Sequence, residues 1–354
     1  VSLRLLAVHA HPDDESSKGA ATYAHYAARG AEVTVVSCTG GERGDIQNEG
    51  LEARAMAERD MAGLRRLEMA AAQQAMGVHH RWLGYLDSGL PGEGEVADPL
   101  GFASIPVEFP GETLVRIIRE LRPQVMVTYD ENGGYPHPDH IRTHEVSMWA
   151  YAAAADPTMF PDAGAAWQIS KIYYDQIFNS PRIEAVHAAM MAREPSHPMS
   201  EELAKVREWM RERPYLATTQ IEVGDFLHVR DEALRAHASQ VSPESPFFFW
   251  PNDVHREAWP WEDFQLAVTV VEAPDTVPDV SDEGEGAGEG EGAGEAVAGS
   301  AASQILETDL FAGITDDNFS AAAYADTNTN RHADPHAHAD PHTHTDSNKK
   351  EARS

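Results

Sequence analysis

The 354-residue chain sets 27 basic side chains against 58 acidic ones, a formal net charge of −31. That balance excludes a surface built to neutralise nucleic-acid or anionic-lipid phosphates. With 42% hydrophobic residues the chain can bury a full core, and its single cysteine, Cys38, excludes an intrachain disulfide and fits a reducing compartment.

The first apolar run, LRLLAVHA, reads as a buried strand, and SKGAATYAHYAARG reads as one Ala-rich helix closed by Gly30. A second strand, AEVTVVSCT, completes a βαβ unit and should bury Cys38 as an inert thiol. A long helix is expected from about Leu51 to Met76, stopping at Gly77, and HHRWLGYLD reads as a short strand. PGETLVRIIRELRP is a helix ended by Pro123, and QVMVTYD is a strand. A helix opened by HPDH runs to Pro157, and SKIYYDQIF is a further strand. This alternation predicts an α/β fold, a Rossmann-like, mostly parallel sheet covered by helices on both faces, with ligands at the carboxyl ends of the strands. No run approaches the ~18 apolar residues of a membrane span and no charged-then-apolar leader opens the sequence, so a cytoplasmic protein is expected.

Composition divides the chain further. Residues 1–273 hold the alternating elements; residues 274–305 are an acidic Gly-rich stretch too poor in apolar side chains to offset chain entropy, expected to be a disordered linker. Residues 316–354 form a low-complexity tail with His332, His336, His338, His342 and His344, a tract that can bind or buffer metal but reads first as a solvated tail.

Two histidine and carboxylate clusters stand out. HAHPDDE follows the first strand, and NGGYPHPDH follows the strand ending near Asp130, about 125 residues later. Either aspartate of the first cluster could cap the next helix, as Asp139 could cap its own. Two such clusters at carboxyl ends of strands in one parallel sheet, however, can converge on one ion. His11, Asp14 and His140 then supply the imidazole nitrogens and carboxylate oxygen that zinc takes in a catalytic site, and ferrous iron accepts the same set. His9 lies on the face of His11, and His144 follows His140 at i+4, so both compete on spacing alone; a structural role is expected for each. Asp13, beside a ligand and spare, is the candidate general base, and Tyr135 and His137 are candidate donors to the oxyanion of a tetrahedral intermediate.

AHPDDE together with GGYPHPDHIRTHE resembles the zinc-dependent de-N-acetylase family with the LmbE-like fold, whose members hydrolyse amides on N-acyl-glucosamine derivatives. The resemblance spans about residues 3–272 and resumes in residues 306–315 with ETDLFAGI. It implies one Zn2+ held by His11, Asp14 and His140, with Asp13 as base. It further implies that Tyr135 and His137 stabilise the intermediate, with His137 or protonated Asp13 delivering a proton to the departing amine. Arg65 and Asp87 match positions that hold sugar and inositol hydroxyls, although by pattern alone one is a charge on a helix face and the other a turn residue. His237 is expected near the pocket with no role given. Lys18, a candidate substrate contact whose ammonium could donate to a carbonyl of the cysteinyl group, and Pro136 between Tyr135 and His137 favour the branch that cleaves S-conjugates of mycothiol over the branch that deacetylates the thiol's precursor. The partner implied is a small-molecule thiol conjugate, with no nucleic acid and no membrane. A sugar-binding protein without catalysis, or a metal-storage protein centred on the tail, are the alternatives from other classes; retention of Asp13 speaks against the first, because binding needs no general base.

Overall fold

The computed structural model describes residues 2–92, 98–196, 200–211, 213–248, 251–271 and 307–315. The acidic stretch, 274–305, and the His-rich tail, 316–354, lie outside the described residues, so the readings made of them stay readings of composition.

The chain opens with β1 (Arg4–His9), α1 (Asp14–Ser17), α2 (Ala20–Ala28) and β2 (Glu32–Thr39). It continues with α3 (Arg54–Arg59), α4 (Met61–Met76), β3 (His79–Tyr85), α5 (Glu108–Leu121), β4 (Val125–Thr128) and α6 (Pro138–Ala155). The second half supplies β5 (Lys171–Asp175), α7 (Ser180–Arg193), α8 (Ser200–Met210), β6 (Thr219–Glu222), α9 (Leu227–Ala236), α10 (Asn252–Ala258) and β7 (Trp261–Thr269). The described strands form a seven-stranded sheet in the order β3-β2-β1-β4-β5-β7-β6. The first five are parallel, and β7 runs antiparallel to both β5 and β6.

Parallel strands buried on both faces read as continuous apolar runs, which is why β1, β2 and β4 were visible in the sequence. One face places Leu5, Ala7, Val33, Val35 and Val127 under α2, α4 and α9, through Tyr23, Met69, Met76 and Ala233. The other places Leu6, Val8, Val36 and Met126 against α5 and α6, through Leu114, Ile118, Val146 and Ala150. Cys38 belongs to this second core, fully buried, its thiol pushed up to about 12 by burial, as an inert core residue should be.

Three local expectations are corrected. The helix expected after β1 is two helices, because the chain breaks at Gly19 with φ 153°, and a Cβ there would lie 2.5 Å from the Tyr23 ring. The helix expected from Leu51 is broken at Asp60, which leaves helical geometry (φ −151°, ψ 74°) and caps α4 by accepting from the Gly63 amide. β6 and β7 had no counterpart in the sequence reading. β7 buries Glu262 and Asp263, two charges that interrupt any apolar run; Asp263 is satisfied by Asn179, Trp259, Tyr215 and Gln220, and Glu262 accepts from the Thr22 amide.

The short segment 307–315 returns to the body. Glu307 bridges to Thr219 beside β6 and pairs with Lys171 at the start of β5; Asp309 accepts from Tyr26 at 2.8 Å; Leu310 and Phe311 are buried in the core under α2. Among the described residues no helix is long and apolar enough to cross a membrane.

Candidate metal centre

The strand order reverses between β1 and β4, and a doubly wound sheet has its crevice where that happens. The loop after β1 carries His11, Asp13 and Asp14, and the loop after β4 carries Gly133 to His137 before α6 begins. The two sequence clusters therefore face one another across neighbouring strands. His11, Asp14 and His140 each bring one ligand atom to within 4.8 Å of the others. A second set, His11, His137 and Asp139, does so too.

Each set holds a buried polar atom without a hydrogen-bond partner, Asp139 Oδ1 in one and His140 Nε2 in the other, and the imidazoles separate them. In the second, His137 Nδ1 accepts from the Asp139 amide at 3.1 Å, capping α6, and Asp139 Oδ2 accepts from the Ser88 amide at 2.9 Å. In the first, His140 Nδ1 lies 3.0 Å from the Gly133 carbonyl, which can only accept; the ring proton is therefore on Nδ1, and Nε2 offers a bare lone pair. That Nε2 is buried without a hydrogen-bond partner, 3.3 Å from Asp14 Oδ2. An orphaned imidazole nitrogen beside a buried carboxylate fits a divalent ion, and Asp139 behind His11, 3.3 Å from its Nε2, is placed as the carboxylate that orients a ligating imidazole. Tyr129 stacks on the His140 ring at 4.5 Å between centroids, and Gly133, at φ 72°, allows the loop to pass where a Cβ would meet the His140 Cβ at 2.6 Å.

The charges suit a cation. Burial opposes charge on His11, yet the Asp139, Asp14 and Asp87 carboxylates hold it well above the ordinary imidazole value. Burial would raise Asp14, but His140 and Lys18 bring it well below the carboxylate range. His140 is pushed down by burial, and His137 to about 4 by burial and the neighbouring imidazoles.

Asp13 is not a ligand in either set. Its backbone sits at φ 111°, ψ −26°, a region that costs a non-glycine residue about 1–3 kcal/mol and persists only when its surroundings impose it. Its carboxylate accepts from Arg65 Nη2 at 2.8 Å, and burial pushes it above its usual range against that cation. Tyr135 is 38% exposed, with its ring 6.1 Å from that of the buried His137.

Two of the expected substrate contacts turn inward. Arg65 is buried, with Nη1 on the Gly41 carbonyl at 2.8 Å and Nη2 shared between the Pro12 carbonyl and Asp13. Lys18 is likewise buried, its ammonium on Asp14 Oδ1. Asp87 lies 3.6 Å from His11 Nε2 and accepts from the Arg43 and Gly89 amides. His9 is enclosed between the Tyr129 and Tyr23 hydroxyls, and His144 Nδ1 contacts the Tyr129 carbonyl, the structural roles expected of them. Asp139, which the sequence offered only as a helix cap, instead faces His11 in the candidate site, and the cap of α6 is His137.

The sequence profile of the GlcNAc-PI de-N-acetylase family (PIG-L) matches residues 6–151. A mycothiol S-conjugate amidase of Streptomyces coelicolor is 49% identical over 275 residues, 76% of this chain and 93% of the relative. A 1D-myo-inositol 2-acetamido-2-deoxy-alpha-D-glucopyranoside deacetylase of Catenulispora acidiphila is 40% identical over 279 residues, 77% of this chain and 86% of the relative. Among solved structures, the conserved protein TT1542 of Thermus thermophilus matches with a TM-score of 0.50 at 19% identity, over 78% of this chain and 99% of that one, a likeness of fold.

Proposed function

Because the chain belongs to the PIG-L, LmbE-like family of de-N-acetylases and is a hydrolase of that family, we propose that it hydrolyses the amide of mycothiol S-conjugates in the cytoplasm, with zinc at His11, Asp14 and His140. The amide joins a glucosamine nitrogen to an N-acetylcysteine whose sulfur carries the foreign group, so the products are a mercapturic acid and glucosaminyl-inositol. The observation that carries the reading is the buried, partnerless His140 Nε2 beside Asp14, with Asp13 held next to them but outside the ligand set. A divalent ion bound there supplies Lewis acidity and brings the pKa of water down toward about 7.

The remaining steps belong to the chain's own side chains. Asp13, oriented by Arg65, takes the proton of the attacking water and returns it to the departing amine. His137 accepts at Nδ1, so its ring proton is on Nε2, where with the Tyr135 hydroxyl it donates to the oxyanion. Asp87, at the inner edge of the site, is the candidate contact for a sugar hydroxyl. The biosynthetic deacetylase is the second reading, favoured by the 40% identity to an enzyme of that name; the higher identity to the amidase and the Tyr135-Pro136-His137 sequence support the first.

The test is a mass-spectrometric assay of zinc-loaded protein against a mycothiol S-conjugate and the N-acetylated precursor in parallel, with two variants. Asp13→Asn is expected to keep its zinc and lose turnover by about 10²-fold or more, and His140→Ala to lose the zinc. Faster cleavage of the acetylated precursor by the wild type moves the protein to the deacetylase branch. Zinc loss in Asp13→Asn means that the two aspartates have been exchanged.

A further inference from the structure

Asp13 occupies a backbone conformation that an L-residue rarely adopts, so something must hold it there. Arg65 holds its side chain. Its amide donates to Glu15 Oε2 at 2.9 Å, a contact from two residues ahead that pins the loop itself. Glu15 is fully buried, and its other oxygen is taken by His237 Nε2 at 2.7 Å and by the Ser16 hydroxyl. His237 is fully buried too, and stands at the end of α9, 222 residues along the chain. Its Nδ1 meets no hydrogen-bond partner among the described residues, so the one contact its ring is aimed at is Glu15. A buried charged pair of this kind is weak evidence for stability and is best attested where it fixes a register. Here the element it fixes is the turn that carries Asp13.

We propose that Glu15 and His237 are positioning residues, a buried pair that clamps the Asp13 backbone so that the carboxylate faces the reacting water. The inference rests on the reading of Asp13 as general base. α9 packs on α2 and α4, so the clamp ties the metal loop to the helical layer that also supplies Arg65. Asp13 is thereby held from both ends, its amide through Glu15 and its carboxylate through Arg65.

The experiment is a double-mutant cycle on zinc-loaded protein, with kcat, KM and zinc stoichiometry measured for Glu15→Ala, Asp13→Asn and the double variant. Glu15→Ala is expected to lower kcat by about 30-fold or more, keep one zinc per chain and leave KM within about threefold. In the Asp13→Asn background the same substitution should cost less than about threefold, because a misplaced base matters only where there is a base. Glu15→Gln keeps a carbonyl oxygen for the Asp13 amide and should recover most of kcat. Equal losses in both backgrounds, or near-normal kcat in Glu15→Ala, would overturn the clamp. Near-normal turnover in Asp13→Asn alone would instead remove the general-base reading beneath it. If Glu15→Ala fails to retain zinc, the same cycle with His237→Ala, which leaves the loop sequence intact, decides the matter by the same outcomes.

Discussion

Arg65→Lys separates a residue that orients Asp13 from one that grips a sugar. The guanidinium serves three acceptors at once, the Gly41 carbonyl at 2.8 Å, the Pro12 carbonyl and Asp13 Oδ2 at 2.8 Å, in a site where the residue is only 2% exposed. A lysine keeps the charge but concentrates its donors on one nitrogen, which cannot reach acceptors on opposite arms of the fork. At about 1.5–3 kcal/mol for each hydrogen bond to a charged group, and with one of the three contacts kept, the variant should lose roughly 3–6 kcal/mol of stability. Asp13 then loses one charge-assisted contact; worth about 1.4–2 kcal/mol in the transition state, it corresponds to a fall in kcat of roughly 10- to 30-fold. KM should stay within about threefold, since no ground-state contact with substrate is removed. Urea unfolding of the zinc-loaded protein gives the first quantity and steady-state hydrolysis of an S-conjugate the others. A tenfold rise in KM with kcat and unfolding midpoint unchanged would refute the reasoning and return Arg65 to the sugar.

Asp175, at the end of β5, has a buried Oδ2 without a partner, and burial raises its carboxyl to about 7. Between the ordinary carboxylate value and about 7 the native state holds a proton that the unfolded chain has released, so stability falls as pH rises through that window, by at most about 4 kcal/mol. Asp175→Asn should therefore stabilise the protein by an amount that roughly doubles between pH 5.5 and 8 in urea midpoints; a pH-independent difference would count against it. Replacing Leu310 and Phe311 by alanine, both buried against the α2 face, should cost about 5 kcal/mol or more in unfolding while kcat per zinc is retained, because Glu307 meets β5 at Lys171, the end opposite the metal loop. Loss of kcat without loss of stability would place that segment in the site instead.

What the sequence made legible follows from how local each signal is. β1, β2 and β4 are apolar runs because both of their faces are covered, and the carboxyl ends of β1 and β4 draw attention because histidines and aspartates crowd there. The convergence of two clusters could be anticipated from a parallel sheet alone. What each side chain touches could not. Asp139 meets His11 across 128 positions and Glu15 meets His237 across 222, and nothing in either neighbourhood signals its partner. Arg65 looked like a charge on a helix face because helical periodicity says nothing about the Pro12 and Gly41 carbonyls that enclose it. The antiparallel edge was hidden for a different reason: β7 carries Glu262 and Asp263 into the interior, where hydrogen bonds, not apolar character, make burial tolerable.

Lys18 is where the structure changes the argument most. Its place in the sequence suggests an ammonium offered to a carbonyl of the acyl group, a contact that would favour the S-conjugate over an acetylated substrate. Instead the ammonium is buried on Asp14 Oδ1, lying 5.7 Å from the Tyr129 ring centroid and 5.9 Å from that of Tyr135. The other oxygen of Asp14 accepts from the His11 amide at 2.9 Å and faces His140 Nε2 at 3.3 Å. Lys18 thus occupies one oxygen of Asp14 and leaves the other to the imidazoles; with Asp14 as the proposed ligand, that makes it a partner of the candidate metal centre common to any substrate. Partners of this kind typically change metal affinity or activity by roughly 10- to 100-fold. Lys18→Ser should accordingly slow hydrolysis of the S-conjugate and of the acetylated precursor alike, by about tenfold or more each, and move their ratio by less than about threefold. Competition between the two substrates in one reaction, followed by mass spectrometry, reads that ratio directly. If the conjugate reaction falls while the acetyl reaction stands, the ammonium leaves Asp14 when substrate binds, and discrimination runs through Lys18 after all.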